Sequence, residues 1–190
     1  KAYYNRGLTY AAMGDYDRAI ADYNQSLTLD PNSAFAYNIR GIAYKGKGDL
    51  ESAIADFSKA IELDPQRVAF YNNRGKVYLK QGDFAKAGVD FDKAVELNTD
   101  PAYSYRNRAE NYYQMGELDK AIADLDKAIE LDPAYGYAYN WRAWVYETKG
   151  DFDKAIADYG KAGELYLQDG DPDGYQKMLN DVAQLRSRSQ

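Results

Sequence analysis

The sequence contains no cysteine and no histidine. Without cysteine there is no disulfide, no thiol nucleophile and no zinc–thiolate site. Without histidine the chain lacks the commonest general base and the commonest metal ligand. No long apolar run occurs, so no segment reads as a membrane span. The chain begins at Lys1, already inside a repeated pattern, and reads as a fragment or processed product with no visible signal peptide. Acidic residues outnumber basic ones, 30 to 24, for a net charge of −6. That balance argues against a general nucleic-acid or anionic-membrane binder.

What the chain does contain is one phrase repeated. "GDYDRAIADYNQSLTLDP" begins at Gly14, and variants begin at Gly48, Gly82, Gly116 and Gly150, each 34 residues on. A period of this size marks an array of helical units rather than one globular core. Each glycine suits a left-handed helix end. Asp15, Asp49, Asp83 and Asp151 follow as N-caps of a second helix, with Glu117 a weaker one. That helix carries apolar residues at helical spacing, such as Leu118, Ala121, Ile122, Leu125 and Ile129. Pro31, Pro65 and Pro133 then end it; in the third unit Pro101 comes two residues late, just ahead of the next first helix.

The pattern resembles the tetratricopeptide repeat family. With Gly7 in slot 8 of a 34-residue unit, slot 4 is Tyr3, Tyr37, Tyr71, Tyr105 and Tyr139. Slot 8 is Gly or Ala, slot 11 is always Tyr, and slot 20 is Ala in all five copies. The resemblance implies an all-α fold, a right-handed α-solenoid of antiparallel helix pairs. Five units are expected at 1–33, 34–67, 68–101, 102–135 and 136–167, followed by 168–190 as a loop, a capping helix and a tail. In that helix Tyr175, Met178, Leu179, Val182 and Leu185 share one face, and the terminal "SRSQ" is expected to fray. One departure recurs in all five units. Slot 7 is Arg (Arg6, Arg40, Arg74, Arg108, Arg142) and slot 23 is Asp (Asp22, Asp56, Asp90, Asp124, Asp158). Opposite charges on facing helices predict an ion-pair ladder.

By the resemblance the first helices line a concave groove, with slots 2, 5, 6, 9, 12 and 13 exposed. Lys1, Lys45, Lys76, Lys80 and Arg106 fall there against Glu110 and Glu147, a basic excess in an acidic chain. Asn5, Asn38, Asn72, Asn73, Asn107 and Asn140 occupy slots 5 and 6. An amide both donates and accepts, so it can pair with an extended peptide backbone without reading side chains. Trp141 and Trp144, the only tryptophans, lie one turn apart, with Tyr103, Tyr113 and Tyr137 on nearby slots. These are typical interface anchors, unless the C-terminal helix packs on the tryptophans. The reading is a non-catalytic protein-interaction scaffold without cofactor. Its groove would bind an extended, acidic or C-terminal peptide through Asn38, Asn72, Asn73, Lys76, Lys80, Tyr103, Arg106, Asn107, Tyr137, Asn140, Trp141 and Trp144. The Lys/Asn/Asn/Lys/Arg carboxylate clamp known in the family matches no frame here. The alternatives are a self-assembling structural module, a substrate-recruiting appendage of a larger protein, and a carbohydrate-binding aromatic end. "DGDPDG" also echoes a calcium loop through Asp169, Asp171 and Asp173, but Asn180 replaces the bidentate glutamate, so a turn is expected.

Overall fold

A computed structural model describes residues 2–97 and 101–188. Lys1, the 98–100 stretch of the "LNTDP" departure and the last two residues of the tail lie outside the described residues. Among those described there are eleven helices and no strand. The chain divides into two compact units, Lys1–Thr99 and Asp100–Gln190.

The first unit holds α1 (Ala2–Ala12), α2 (Tyr16–Leu29), α3 (Ala34–Lys47), α4 (Leu50–Leu63), α5 (Val68–Gln81) and α6 (Phe84–Leu97). The second holds α7 (Pro101–Gln114), α8 (Leu118–Leu131), α9 (Gly136–Lys149), α10 (Phe152–Gln168) and α11 (Pro172–Arg188). Within each unit every helix packs on its neighbours in sequence, and α3 also touches α5, as α7 touches α9. The turns between paired helices follow one recipe. At the end of α5, Gly82 takes φ +78, where a side chain would be strained, and its N–H closes the last turn. Asp15, Asp49 and Asp83 then accept a hydrogen bond from the backbone N–H three residues on, each at 3.1 Å. Asp151 departs from the expectation: it makes no side-chain cap bond, and its carboxylate faces Lys154 Nζ at 3.4 Å instead. Pro101 is the first residue of α7, where its missing N–H costs nothing.

The slot-20 alanines, Ala19, Ala53, Ala87, Ala121 and Ala155, have no exposed surface. They let paired helices approach closely. In the first unit slot 8 is glycine and stands against an aromatic ring at slot 24. A Cβ on Gly41 would stand 2.8 Å from the Phe57 ring, and one on Gly75 2.7 Å from Phe91. Where slot 8 is Ala109, the facing residue is the smaller Leu125, and both are fully buried. In the fifth unit Ala143 shares a core with Tyr159, so a ring is also accommodated beside alanine there.

α11 closes the second unit. Met178 and Leu185, each 1% exposed, join a core with Ala143, Ala155, Tyr159, Ala162 and Tyr166, and Val182 packs beside them. Leu179 does not share that face; it is 42% exposed. The "DGDPDG" run is the start of this helix. Gly170 takes φ +77, Asp171 Oδ1 accepts the Gly174 N–H at 2.8 Å, and Pro172 is the first helical residue. A cap with proline at the first position accounts for that run without a ligand. Among the described residues no cluster of acidic side chains could hold a metal ion, and no helix is long and apolar enough to cross a membrane.

Candidate peptide-binding surface

The first helices are oriented by the ion-pair ladder. In every unit of the pattern the slot-7 arginine forks onto the slot-23 aspartate of the paired helix. Arg6 holds Asp22 at 2.7 and 2.6 Å, Arg40 holds Asp56 at 2.7 and 2.6 Å, and Arg74 holds Asp90 at 2.9 and 2.7 Å. In the second unit Arg108 holds Asp124 at 2.7 and 2.8 Å, and Arg142 holds Asp158 at the same distances. The five aspartates are buried. Arg40 also donates to Asn24 at 2.6 Å, Arg74 to Ser58 at 2.9 Å and Arg142 to Asp126 at 2.6 Å. Each of these three arginines therefore ties its own helix pair to the preceding one.

The tyrosines belong to the same construction. Arg40 lies 5.4 Å from the Tyr37 ring and 5.9 Å from Tyr44, and Arg142 lies 5.6 Å from Tyr139 and 6.0 Å from Tyr146. Slot-11 rings receive a second cation from the paired helix: Lys86 on Tyr78, Lys120 on Tyr112 and Lys154 on Tyr146. Tyr71 is the exception. It is buried, and its hydroxyl donates to the Pro65 carbonyl at 3.0 Å. Most of the chain's twenty tyrosines thus complete the scaffold.

What remains on the first-helix faces differs between the units. In the first unit Asn38 and Asn72 are buried rather than exposed. Asn73, half-buried, donates from Nδ2 to Asn38 Oδ1 at 2.9 Å, linking α5 to α3. Asn38 is thus met by α5, and its amide serves helix packing. Lys80 is exposed and Lys76 half-exposed one turn before it. Lys1 lies outside the described residues.

In the second unit Asn107 is also fully buried. Arg106 is not a free charge: it pairs with Glu110 at 2.9 Å, lies 5.3 Å from the Tyr103 ring and donates to the Tyr135 hydroxyl at 3.4 Å. The tryptophans stack on each other, rings 5.5 Å apart and inclined by 12°. Tyr113 of α7 meets both edge-on, at 6.0 Å from Trp141 and 6.1 Å from Trp144. They pack on α7, not on the core of α11. Trp141 is half-buried and Trp144 is 47% exposed. Tyr137, 56% exposed, abuts Tyr166 at 5.3 Å, and Asn140 donates to the Tyr166 hydroxyl at 3.3 Å. Burial pushes the Tyr166 hydroxyl up to about 12.

A cleft of 540 Å³ opens beside Trp144, bounded by α9, α10 and α11. From α11 it takes Lys177, Asp181, Gln184 and Arg188, none of which was among the residues expected to bind a peptide. α11 follows no repeat register, so slot arithmetic stops before it.

The Tetratricopeptide repeat model matches residues 1–33 and 68–100, and a second TPR repeat model matches 43–82 and 109–150. Two further tetratricopeptide models match 136–173 and 22–55. No curated protein matches the chain. Among solved structures it is similar to MamA, at 30% identity over 86% of this chain and 96% of that one, with a TM-score of 0.73. It resembles a thermophilic TPR protein of Thermus thermophilus at 22% identity, over 97% of both chains, with a TM-score of 0.77. It also resembles YrrB, a TPR protein with an unusual peptide-binding site, at 26% identity over 86% and 84% of the two chains, with a TM-score of 0.65. An array of this kind is a non-catalytic protein–protein interaction scaffold, with proteins or peptides as its partners. The chain belongs to the tetratricopeptide repeat family.

Proposed function

We propose that the first-helix faces of each unit hold an extended peptide segment of a partner protein, anchored in the second unit on Trp144 and its neighbours. The observation that carries this reading is the stacked Trp141–Trp144 pair, wedged against Tyr113 with Trp144 left 47% exposed. A large aromatic held rigid by its neighbours, yet open to solvent, loses little entropy when a partner covers it. Tyr137 and Asn140 extend the surface, while Tyr103 and Arg106 brace it. In the first unit Asn73, Lys76 and Lys80 are the accessible residues, with Asn38, Asn72 and, in the second unit, Asn107 supporting from within. Lys76 and Lys80, one turn apart, favour an acidic stretch or a terminal carboxylate on that unit. The likeness to YrrB, whose description names a peptide-binding site, supports a peptide as ligand.

Selection from a displayed random peptide library against the purified chain, followed by fluorescence anisotropy, tests the reading. Trp144→Ala should weaken the selected peptides by about thirtyfold, the equivalent of about 2 kcal/mol. Lys76→Glu should act mainly through on-rate and salt dependence. Lys93→Ala, at a half-exposed position of the second helix α6, serves as the control. Parent-like binding by both Trp144→Ala and Lys76→Glu would remove the first-helix faces from consideration.

A further inference from the structure

The cleft beside Trp144 combines aromatic walls with carboxylates. Its walls are aromatic, with Trp144 on α9 and Phe152 and Tyr159 on α10. Its polar groups include two carboxylates, Glu147 on α9 and Asp181 on α11. Glu147 is held in place: the Tyr159 hydroxyl donates to one of its oxygens at 3.1 Å. Asp181 is half-buried, and among the described residues it has no hydrogen bond and no ion pair. Burial raises its carboxyl above the ordinary carboxylate value, and Glu147 adds to the rise, while Lys177 opposes it. An anion that is partly desolvated and short of a partner is satisfied by an incoming cation.

The cleft already shows which cation. The chain's own Arg188 reaches Glu147 at 3.1 Å from the last described turn of α11, with its side chain 52% exposed. The same chemistry recurs five times inside the scaffold, where a guanidinium sits between an aspartate and tyrosine rings. A planar guanidinium can stack on an aromatic face while forking onto a carboxylate, which an ammonium cannot do.

We propose that this cleft is a subsite for an arginine side chain of the bound peptide, its guanidinium against the Trp144 indole and paired with Asp181 and Glu147. Arg188 is then an internal competitor, occupying Glu147 when the cleft is otherwise empty. Lys177 stands on the same rim, is exposed, and limits the net attraction. The subsite rests on the peptide-holding reading above and refines it. A basic residue of the peptide suits this cleft of the second unit.

The test uses N-acetyl-arginine methylamide as probe, followed by ¹H–¹⁵N NMR on the Trp144 indole N–H, with the signal assigned through Trp141→Phe. The neutral citrulline analogue and the lysine analogue are titrated in parallel. The arginine compound should give a saturable shift with a dissociation constant on the order of 1–10 mM, the range open to so small a ligand. Citrulline should bind at least about fivefold more weakly, with lysine between the two. Asp181→Asn should weaken the arginine compound by about fivefold or more, and Arg188→Ala should tighten it. Circular dichroism checks that both variants keep the fold. No saturable shift, equal binding of citrulline, or indifference to Asp181→Asn overturns the subsite. If library peptides bind but ignore Asp181→Asn, the subsite fails while the peptide reading stands. If the arginine compound titrates as expected but no library peptide binds, the subsite stands and the peptide reading fails.

Discussion

Arg40 grips Asp56 with two near-parallel hydrogen bonds, 2.7 Å from Nε and 2.6 Å from Nη2, and the aspartate side chain retains only 7% of its exposure. Removing one partner leaves the other charge buried and unanswered, so the loss is larger than the pair's net worth. Arg40→Leu alone should lower unfolding stability by about 3 kcal/mol, and Asp56→Leu by a similar amount. The double variant should cost clearly less than the sum of the two. Urea denaturation of the three variants measures the coupling; additive losses would mean the pair does not act as a unit.

Gly41 and Phe57 make a second reciprocal pair. Gly41→Ala places a methyl 2.8 Å from the Phe57 ring and should destabilise by about 1–3 kcal/mol. Adding Phe57→Leu should recover part of that loss, because Ala109 with Leu125 is the chain's own version of the smaller pairing. Thermal unfolding of the single and double variants checks it.

Asp171 belongs to a helix cap. Asp171→Ala should cost about 1 kcal/mol, felt mainly in α11. Millimolar calcium should leave the melting temperature of the parent unchanged, and calorimetry should give no saturable heat. A calcium-dependent rise in melting temperature that is lost in Asp171→Ala would reverse this assignment.

The pH response follows from carboxylates that serve as caps and ion-pair partners. The Arg18 side chain holds the Asp15 carboxyl below the usual carboxylate value. The Ser52 hydroxyl does so for Asp49, Lys86 for Asp83, and Arg6 for Asp22. A carboxyl whose value is lower in the folded chain stabilises it when ionised. That contribution is present at neutral pH and is lost as pH falls through the ordinary aspartate range to the lower folded values. The urea midpoint should therefore decline between neutral pH and about pH 3. A variant carrying Asp15→Asn, Asp49→Asn and Asp83→Asn should show a shallower decline. Asp181 has the opposite sign: its raised value makes its ionised form a liability, so Asp181→Asn should be neutral or slightly stabilising at pH 7.

The arrangement of helices was legible because its causes are local. Glycine where a helix must turn left-handed, aspartate where backbone N–H groups need an acceptor, and proline at Pro101 all act within a few residues. The alanine slots and the Arg–Asp slots recur at the period, so five copies gave the same answer to one packing problem. The ladder could be read for the same reason: Arg40 and Asp56 are separated by 16 residues, as are the other four pairs.

The surface was less legible. Slot 5 or 6 was expected to expose Asn38, Asn72 and Asn107, yet the side chains are buried. Arg106 and Glu110 were both counted on the groove, but their pairing at 2.9 Å was not foreseen. Leu179 reads as part of the apolar face of α11 and instead meets solvent. In each case the outcome depends on what the neighbouring helix presents, which a single-helix periodicity does not contain. The sequence by itself determined the repeat, its helices, their caps and the paired charges, because those rest on short-range geometry repeated at a fixed period. Only the tertiary structure decided which amides are covered, that Trp141 and Trp144 lean on Tyr113, and that Asp181 of α11 shares a cleft with Glu147. Those contacts join elements outside one register, and their distances come from packing.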